Sequence, residues 1–124
     1  MTARQIIGWI LSIVASAMFA LAGYLKLTSN PMETQAFAMY GLPLWFVYVV
    51  GVMEIAGVIL LLFTKWRTAG AALLTVVGLG ATFEHATHAQ LAMAPIPLAA
   101  AACAIVGAML REPKPDVGRS ERAP

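Results

Sequence analysis

Four apolar stretches of about twenty residues leave few folds open to this chain. They cover residues 5–24, 43–63, 68–88 and 91–110. A helix needs about 20 mostly apolar residues to cross the ~30 Å hydrocarbon core of a bilayer. The stretches do not alternate apolar with polar residues, and a transmembrane barrel needs about eight or more alternating strands. The sequence therefore predicts an all-α fold, a bundle of four transmembrane helices.

The composition supports a chain solvated by lipid. Hydrophobic residues make up 60% of the sequence and charged residues 11%, whereas a soluble domain has roughly 25% charged residues. The basic residues lie at the ends of the apolar stretches rather than in one patch, so nucleic acid is not an expected partner. Cys103 is the single cysteine, which excludes an intramolecular disulfide.

The boundaries of the membrane domain follow from prolines and charges. Pro95 and Pro97 interrupt the start of the fourth stretch, so we expect a loop or kink there and a regular helix from near Pro95. Residues 1–111 are predicted to form the transmembrane domain. Residues 112–124 carry three prolines and six charges without apolar periodicity, which predicts a disordered cytoplasmic tail.

Basic residues predict the direction of the four spans. In a four-span path, seven lysines and arginines share one side and Lys26 lies on the other. Because positive residues stay in the cytoplasm, both termini are expected there. The seven are Arg4, Lys65, Arg67, Arg111, Lys114, Arg119 and Arg122.

The first outer loop contains the signals of a short helix. Asn30 is a suitable N-cap, Pro31 suits the first helical position, Glu33 completes a capping box, and Gly41 ends the run. We expect a short interfacial helix across the outer mouth of the bundle. One of its faces carries Met32, Ala36 and Met39.

A few ionisable residues lie within or at the edge of the spans, where each is a functional candidate because a buried charge is costly. Helical spacing puts each on a stripe of small residues, and these stripes are expected to face one another. We expect a polar funnel that opens outward and ends at Glu54 near the midplane, with Ser16 at a similar depth and Lys26 and His88 at the outer rim. The candidates are Lys26, Glu54, Glu84, His85 and His88.

Glu54 and Lys26 also have structural interpretations. Glu54 is expected to be protonated unless a cation reaches it, because desolvation disfavours a charged carboxyl. A neutral Glu54 could join helices through a hydrogen bond to Ser16. Lys26 could extend its ammonium group to the interface.

The remaining candidates have equally simple interpretations. His85 and His88 share a face, a spacing that can hold a metal or haem, yet no cysteine or third histidine completes a site, so we predict neither group. Tyr24 and Tyr48 fit an outer aromatic belt.

Several short segments, in their order and spacing, resemble the DoxX-like family of small bacterial four-helix membrane proteins. They are Ala22-Gly23-Tyr24-Leu25-Lys26-Leu27, Tyr40-Gly41-Leu42-Pro43, Gly51-Val52-Met53-Glu54-Ile55-Ala56-Gly57, Arg67, and Gly80-Ala81-Thr82-Phe83-Glu84-His85. The resemblance covers nearly the whole chain except the tail. It implies the bacterial cytoplasmic (inner) membrane and an association with quinone or thiol redox partners. Lys26 and Glu54 match the frame of the family.

These observations lead to the hypothesis of a membrane oxidoreductase subunit or accessory. It would hold a lipid-soluble small molecule, such as a quinone, in an outward-facing polar pocket between spans one, two and three. Glu54 and His85 would exchange protons with the ligand, and Lys26 would stabilise developing negative charge. The other residues expected to contact the ligand are Ser16, Tyr24, Tyr48, Glu84 and His88.

The sequence leaves other functions and partners open. A redox partner protein is expected to supply electrons, because the sequence shows no redox centre of its own. One alternative is a small membrane isomerase or hydrolase that uses the same acid and base on an apolar substrate. Another is a carrier that binds a lipid or small molecule without chemistry. A homo-oligomer is also left open.

The charge distribution predicts a measurable topology. A reporter fused after Pro124 should be cytoplasmic, and a cysteine replacing Gln35 should react with a membrane-impermeant thiol reagent added outside intact cells. The parent chain, whose Cys103 lies in an apolar stretch, serves as the control. Labelling at position 35 only after cell lysis would contradict the predicted orientation.

Overall fold

The structure, a computed structural model, describes residues 1–113 and is built from helices. No strand occurs in that part of the chain. The α-helices are α1 (Ala3–Leu27), α2 (Pro31–Met39), α3 (Leu44–Leu62), α4 (Arg67–Thr87) and α5 (Pro95–Leu110). Short 3₁₀ turns at Thr64–Trp66 and Leu91–Met93 precede α4 and α5. The predicted all-α fold is confirmed, and residues 114–124 of the predicted tail lie outside the described residues.

Four segments are long and apolar enough to cross a membrane, and they match the four predicted spans. Two of them are α1 and α3. The other two are α4 and α5, each taken together with the 3₁₀ turn that precedes it. In the fourth span a 3₁₀ turn comes first, and the regular helix begins at Pro95, as the prolines predicted. Proline suits this first helical position because its missing N–H would have no intrahelical partner there.

The four long helices form a ring in which each packs against two others. Helix α1 contacts α3 and α5, and α4 contacts the same two helices, so α1 and α4 lie diagonally opposite. Neighbouring helices are antiparallel: Gly23 near the end of α1 approaches Gly51 in the first half of α3, and Arg111 bonds both to Ser12 in the first half of α1 and to Leu61 at the end of α3. We call the end that carries α2 the α2 end and the opposite one the Arg111 end.

Glycines set the distance between the helices. A Cβ at Gly70 of α4 would collide with the backbone nitrogen of Leu61 and lie 2.8 Å from the Gly57 carbonyl oxygen of α3. Between α1 and α5, a Cβ at Gly8 would lie 2.9 Å from the Gly107 carbonyl oxygen. Such contacts drive helix association in lipid, where burying apolar side chains gives no advantage.

The stripes predicted on α1 and α3 do face the interior. On α1 the stripe residues Ser12, Ser16, Phe19, Gly23 and Lys26 are all buried. On α3 the buried residues include Gly51, Glu54 and Gly57. The stripe on α4 is buried at Gly78 and only partly buried at His85 and His88, because it emerges at the α2 end.

Helix α2 forms where predicted, but its N-terminal capping differs. The Asn30 side chain accepts a hydrogen bond from the Met32 N–H at 3.0 Å, and Gly41 ends the segment at a φ of +77°. The prediction of the second half of the capping box, a hydrogen bond from the Asn30 N–H to the Glu33 side chain, is wrong. The Asn30 N–H donates to the Leu25 carbonyl oxygen, and the Glu33 carboxylate lies beside Lys26 instead.

Helix α2 packs against the bundle through the face that carries Phe37. Phe37 is buried against Tyr40 and Phe46, with ring centroids 6.1 and 6.2 Å away. Met32 and Met39, the larger residues of the face predicted for this helix, are exposed. An aromatic ring therefore attaches α2 to the start of α3.

Arg111 closes the opposite end of the bundle. Its guanidinium donates to Leu61 O at 2.6 Å and Ser12 Oγ at 3.1 Å. It also stacks on Trp9 at 3.7 Å from the ring centroid. Burial, and to a lesser extent the charge of Arg67, lower the pKa of Arg111 from its ordinary value. Arg111 thus links α1, α3 and α5, a role beyond its contribution to topology.

Two of the three glycines of α4, Gly70 and Gly80, allow a matched test of the packing. Gly70→Ala should lower the free energy of unfolding by about 1–3 kcal/mol, because its methyl group would enter the α3 backbone. Gly80→Ala should leave it unchanged or raise it by up to about 1 kcal/mol, because nothing lies within 4 Å of that Cβ. Thermal unfolding in detergent, followed by circular dichroism, measures both. Equal stability of the two variants would contradict this packing of α3 on α4.

Candidate functional site

A buried ion pair joins α1 to α3. Lys26 Nζ lies 2.8 Å from Glu54 Oε1 and 3.5 Å from Glu33 Oε2 of α2. The Glu54 side chain is 2% exposed and the Lys26 side chain 11%. One ammonium group therefore joins three helices.

The packing of α1 on α3 explains how Lys26 reaches Glu54. A Cβ at Gly51 would lie 3.1 Å from Lys26 Cβ and 3.1 Å from Leu27 Cγ, so the end of α1 lies directly against Gly51. Glu54 is three residues further along α3, one helical turn deeper. From Gly51 back to Leu44, α3 extends about 10 Å beyond this contact towards the α2 end.

This register corrects the expected depth of Lys26. The helical rise per residue placed Lys26 at the outer rim. Instead α1 ends below the start of α3, and α2 packs beside the part of α3 that extends beyond it. The Lys26 ammonium group is directed to Glu54 and Glu33.

The same register separates Ser16 from Glu54. Ser16 is buried, and its hydroxyl has no hydrogen-bond partner among the described residues. It lies on α1 between Gly23, which approaches Gly51, and Ser12, which shares the Arg111 guanidinium with Leu61. Ser16 is therefore closer to the Arg111 end than Glu54 is, and the hydrogen bond considered between them is not formed. The partner of Glu54 is the Lys26 ammonium group instead.

A second polar cluster lies where α2 meets the end of α4. Gln90 Oε1 lies 2.6 Å from the Tyr40 hydroxyl and 2.8 Å from His85 Nδ1. Tyr40 Oη and His85 Nδ1 are 3.2 Å apart. With this amide orientation both groups donate to Gln90, which leaves His85 Nε2 as the ring nitrogen that can accept a proton.

Burial and neighbouring carboxylates keep Tyr40 protonated. Burial contributes most to raising the pKa of Tyr40 above its ordinary value, and the negative charges of Glu84 and Glu33 add to it. The phenol therefore remains a hydrogen-bond donor at neutral pH. The Tyr40 ring also lies against His88, with centroids 4.9 Å apart.

The other predicted ligand contacts occupy more peripheral positions. His88 Nδ1 lies 3.3 Å from Glu84 Oε2. The Tyr48 hydroxyl bonds to Ser29 Oγ at 2.5 Å, and Tyr24 is exposed. Within residues 1–113, no three His, Cys, Asp or Glu side chains are grouped so that they could hold a metal ion.

Helix α2 connects the two clusters, a feature that the sequence did not predict. Glu33 in its first turn lies beside Lys26, and Tyr40 directly after it contacts His85 and Gln90. Glu33 had been assigned to a capping box, and the helix-start signals gave no indication of its second partner. Tyr40 lay within a segment that carried the family resemblance, although its contacts with His85 and Gln90 were not foreseen.

The arrangement offers a hydrogen-bond donor and acceptors in a medium of low dielectric constant. Lys26 can donate to a ligand oxygen, while Glu54 can accept or return a proton. Both effects are stronger here than in water because little solvent screens them.

A sequence model described as the DoxX-like family matches residues 10–108 of the chain. The chain belongs to the DoxX-like family. It is also 32% identical over 102 residues to YdgD, an uncharacterised protein of Bacillus subtilis (strain 168). The aligned region covers 78% of this chain and 89% of YdgD. No solved structure matches the chain. This DoxX-like chain, with its four long apolar helices, is a multi-pass membrane protein.

The buried pair of this DoxX-like protein has a testable effect on stability. Lys26→Met should lower the free energy of unfolding by about 3 kcal/mol, because Glu54 is left buried without its cation. The double variant Lys26→Met, Glu54→Leu should recover much of that loss, since no unpaired charge remains. Glu33→Gln is the control and should cost less than about 1 kcal/mol, because Glu33 is the more exposed partner. Thermal unfolding in detergent measures all three, and an unaffected Lys26→Met variant would show that the pair does not form.

Proposed function

We propose that this chain binds a lipid-soluble molecule with carbonyl oxygens, specifically a quinone, as a membrane subunit or accessory of an oxidoreductase. The proposed site is the Lys26–Glu54 pair and the space that a rearranged α2 would open between α1, α3 and α4. By the distribution of positive charge, this site faces the outside of the cell.

The observation that carries the proposal is the burial of the Lys26–Glu54 pair. Apolar residues of similar volume in place of a buried ion pair are often equally or more stabilising. Ionisable residues inside a membrane domain are functional candidates for the same reason. A pair that costs so much to desolvate, at the contact between two packed helices, suggests a role beyond holding them together.

The direction of entry follows from exposure and packing. Glu33, with a side chain 19% exposed, is the most accessible member of the group, whereas Glu54 is covered by Lys26 and its neighbours. The Arg111 end is closed by a buried guanidinium that binds two helix-end carbonyls. A ligand would therefore approach from the α2 end.

The residues suit the proton chemistry of a quinone. Its reduction to a quinol requires a pair of electrons and a proton at each carbonyl oxygen. A partner redox protein would supply the electrons. Lys26 would donate a hydrogen bond to one oxygen and stabilise its developing charge, and Glu54 would exchange a proton there. His85 Nε2, near the α2 end, would exchange protons at the entrance.

Binding of a short-chain ubiquinone to the purified protein in detergent tests this proposal. Glu54→Gln and Lys26→Met should each weaken binding by about tenfold or more, because a hydrogen bond to a charged group is worth about 1.5–3 kcal/mol. Thr75→Val is the matched control, because the Thr75 hydroxyl bonds only to Ala71 O within its own helix. Calorimetric titration measures the affinities.

The remaining outcomes separate the alternatives. The folded double variant Lys26→Met, Glu54→Leu should not bind ubiquinone, which distinguishes loss of the site from loss of the fold. Equal affinity in this variant and the wild type would refute the proposal. Turnover of an apolar substrate by the purified chain alone would instead identify a membrane isomerase or hydrolase.

A further inference from the structure

The outer surface of the bundle has a groove between α4 and α5 at the Arg111 end, far from the Lys26–Glu54 pair. Its volume is about 620 Å³. Arg67, Thr68 and Glu112 line its polar end. Small or aliphatic residues line the rest, among them Ala72, Thr75 and Ile105.

Arg67 supplies the positive charge at the polar end of the groove. Arg67 Nε donates to Ala108 O at 3.2 Å and Nη1 to Thr64 O at 2.6 Å. These two bonds hold the guanidinium in place, and the Nη2 group of Arg67 takes part in neither of them. Within residues 1–113, no carboxylate oxygen lies within 4 Å of Arg67.

Other basic groups at this end add to the same field. Arg4 lies close enough to bond to Met109 O at 3.5 Å, and Arg111 is near enough to Arg67 for the two charges to interact. Arginine binds phosphate well because its planar guanidinium matches the phosphate oxygens. The groove therefore favours an anion at its polar end.

The length and lining of the groove define the rest of the ligand. From Arg67 to Thr75 it follows α4 for about 12 Å, close to the ~15 Å thickness of one leaflet of the hydrocarbon core. The Thr75 hydroxyl donates to Ala71 O at 2.6 Å, so this part of the groove offers no free donor. Such a surface suits an acyl chain.

We propose that this groove is a binding site for an anionic phospholipid, with its phosphate at Arg67 and one acyl chain along Ala72, Thr75 and Ile105. Basic residues between transmembrane helices are a known means of holding anionic headgroups. The exposed Glu112 at the rim opposes the phosphate and limits the affinity. This site is independent of any ligand at Lys26 and Glu54.

Native mass spectrometry of the purified chain with added phosphatidylglycerol or phosphatidylcholine, matched in their acyl chains, tests the site. Wild-type protein should bind phosphatidylglycerol about tenfold more tightly, and Arg67→Gln should remove that preference. Glu112→Gln should strengthen phosphatidylglycerol binding, because it removes the opposing charge. Arg4→Gln removes an arginine at the same end but outside the groove, and it should reduce the preference less than Arg67→Gln does.

A substitution in the apolar part of the groove provides a second test of the site that leaves Arg67 unchanged. Ala72 is exposed, so Ala72→Phe should fold normally, fill the groove and weaken binding of both lipids. If Arg67→Gln does not fold, Glu112→Gln and Ala72→Phe decide the matter. Equal wild-type affinity for the two lipids, or unchanged binding in both of these variants, would overturn the proposal.

Discussion

Close approach of helix backbones is the constraint on which this structure depends. Lipid tails are as apolar as leucine, so the helices must associate through packing and polar contacts. Gly70 brings α4 onto the α3 backbone, and Gly51 brings the end of α1 onto the side of α3. The second contact also determines that Lys26 lies one helical turn from Glu54. The glycines that allow the bundle to pack therefore also position the buried Lys26–Glu54 pair.

Buried charges are balanced differently at the two ends of the bundle. Arg111 is held by backbone carbonyls, the Ser12 hydroxyl and the face of Trp9, none of which titrates. Lys26 is held by Glu54 and Glu33, whose charges change with protonation or with a new partner. The first arrangement suits a fixed closure of the bundle. The second suits a site at which a ligand replaces one partner.

The sequence predicted the helices well because their signals are local. Span length, Pro95 and the Asn30–Pro31 start each act over a few residues, and α2 and α5 formed where expected. The site was less predictable because it depends on register. Helical rise gave Glu54 a depth but could not show that α1 ends beside Gly51. Long-range partners such as Arg111 with Leu61 leave no local pattern at all.

Helix α2 is the element through which the two polar clusters can influence each other. Its first turn places Glu33 on Lys26, and the residue after its end, Tyr40, contacts His85 and Gln90. Ser29 and Gly41, just outside its two ends, adopt positive φ values of 55° and 77°. Rotation of α2 about these junctions would withdraw Glu33 from Lys26 and Tyr40 from His85 together. Under the proposed function, a ligand oxygen that replaces Glu33 on Lys26 would favour that displaced arrangement, because Lys26 would keep a partner while α2 moved.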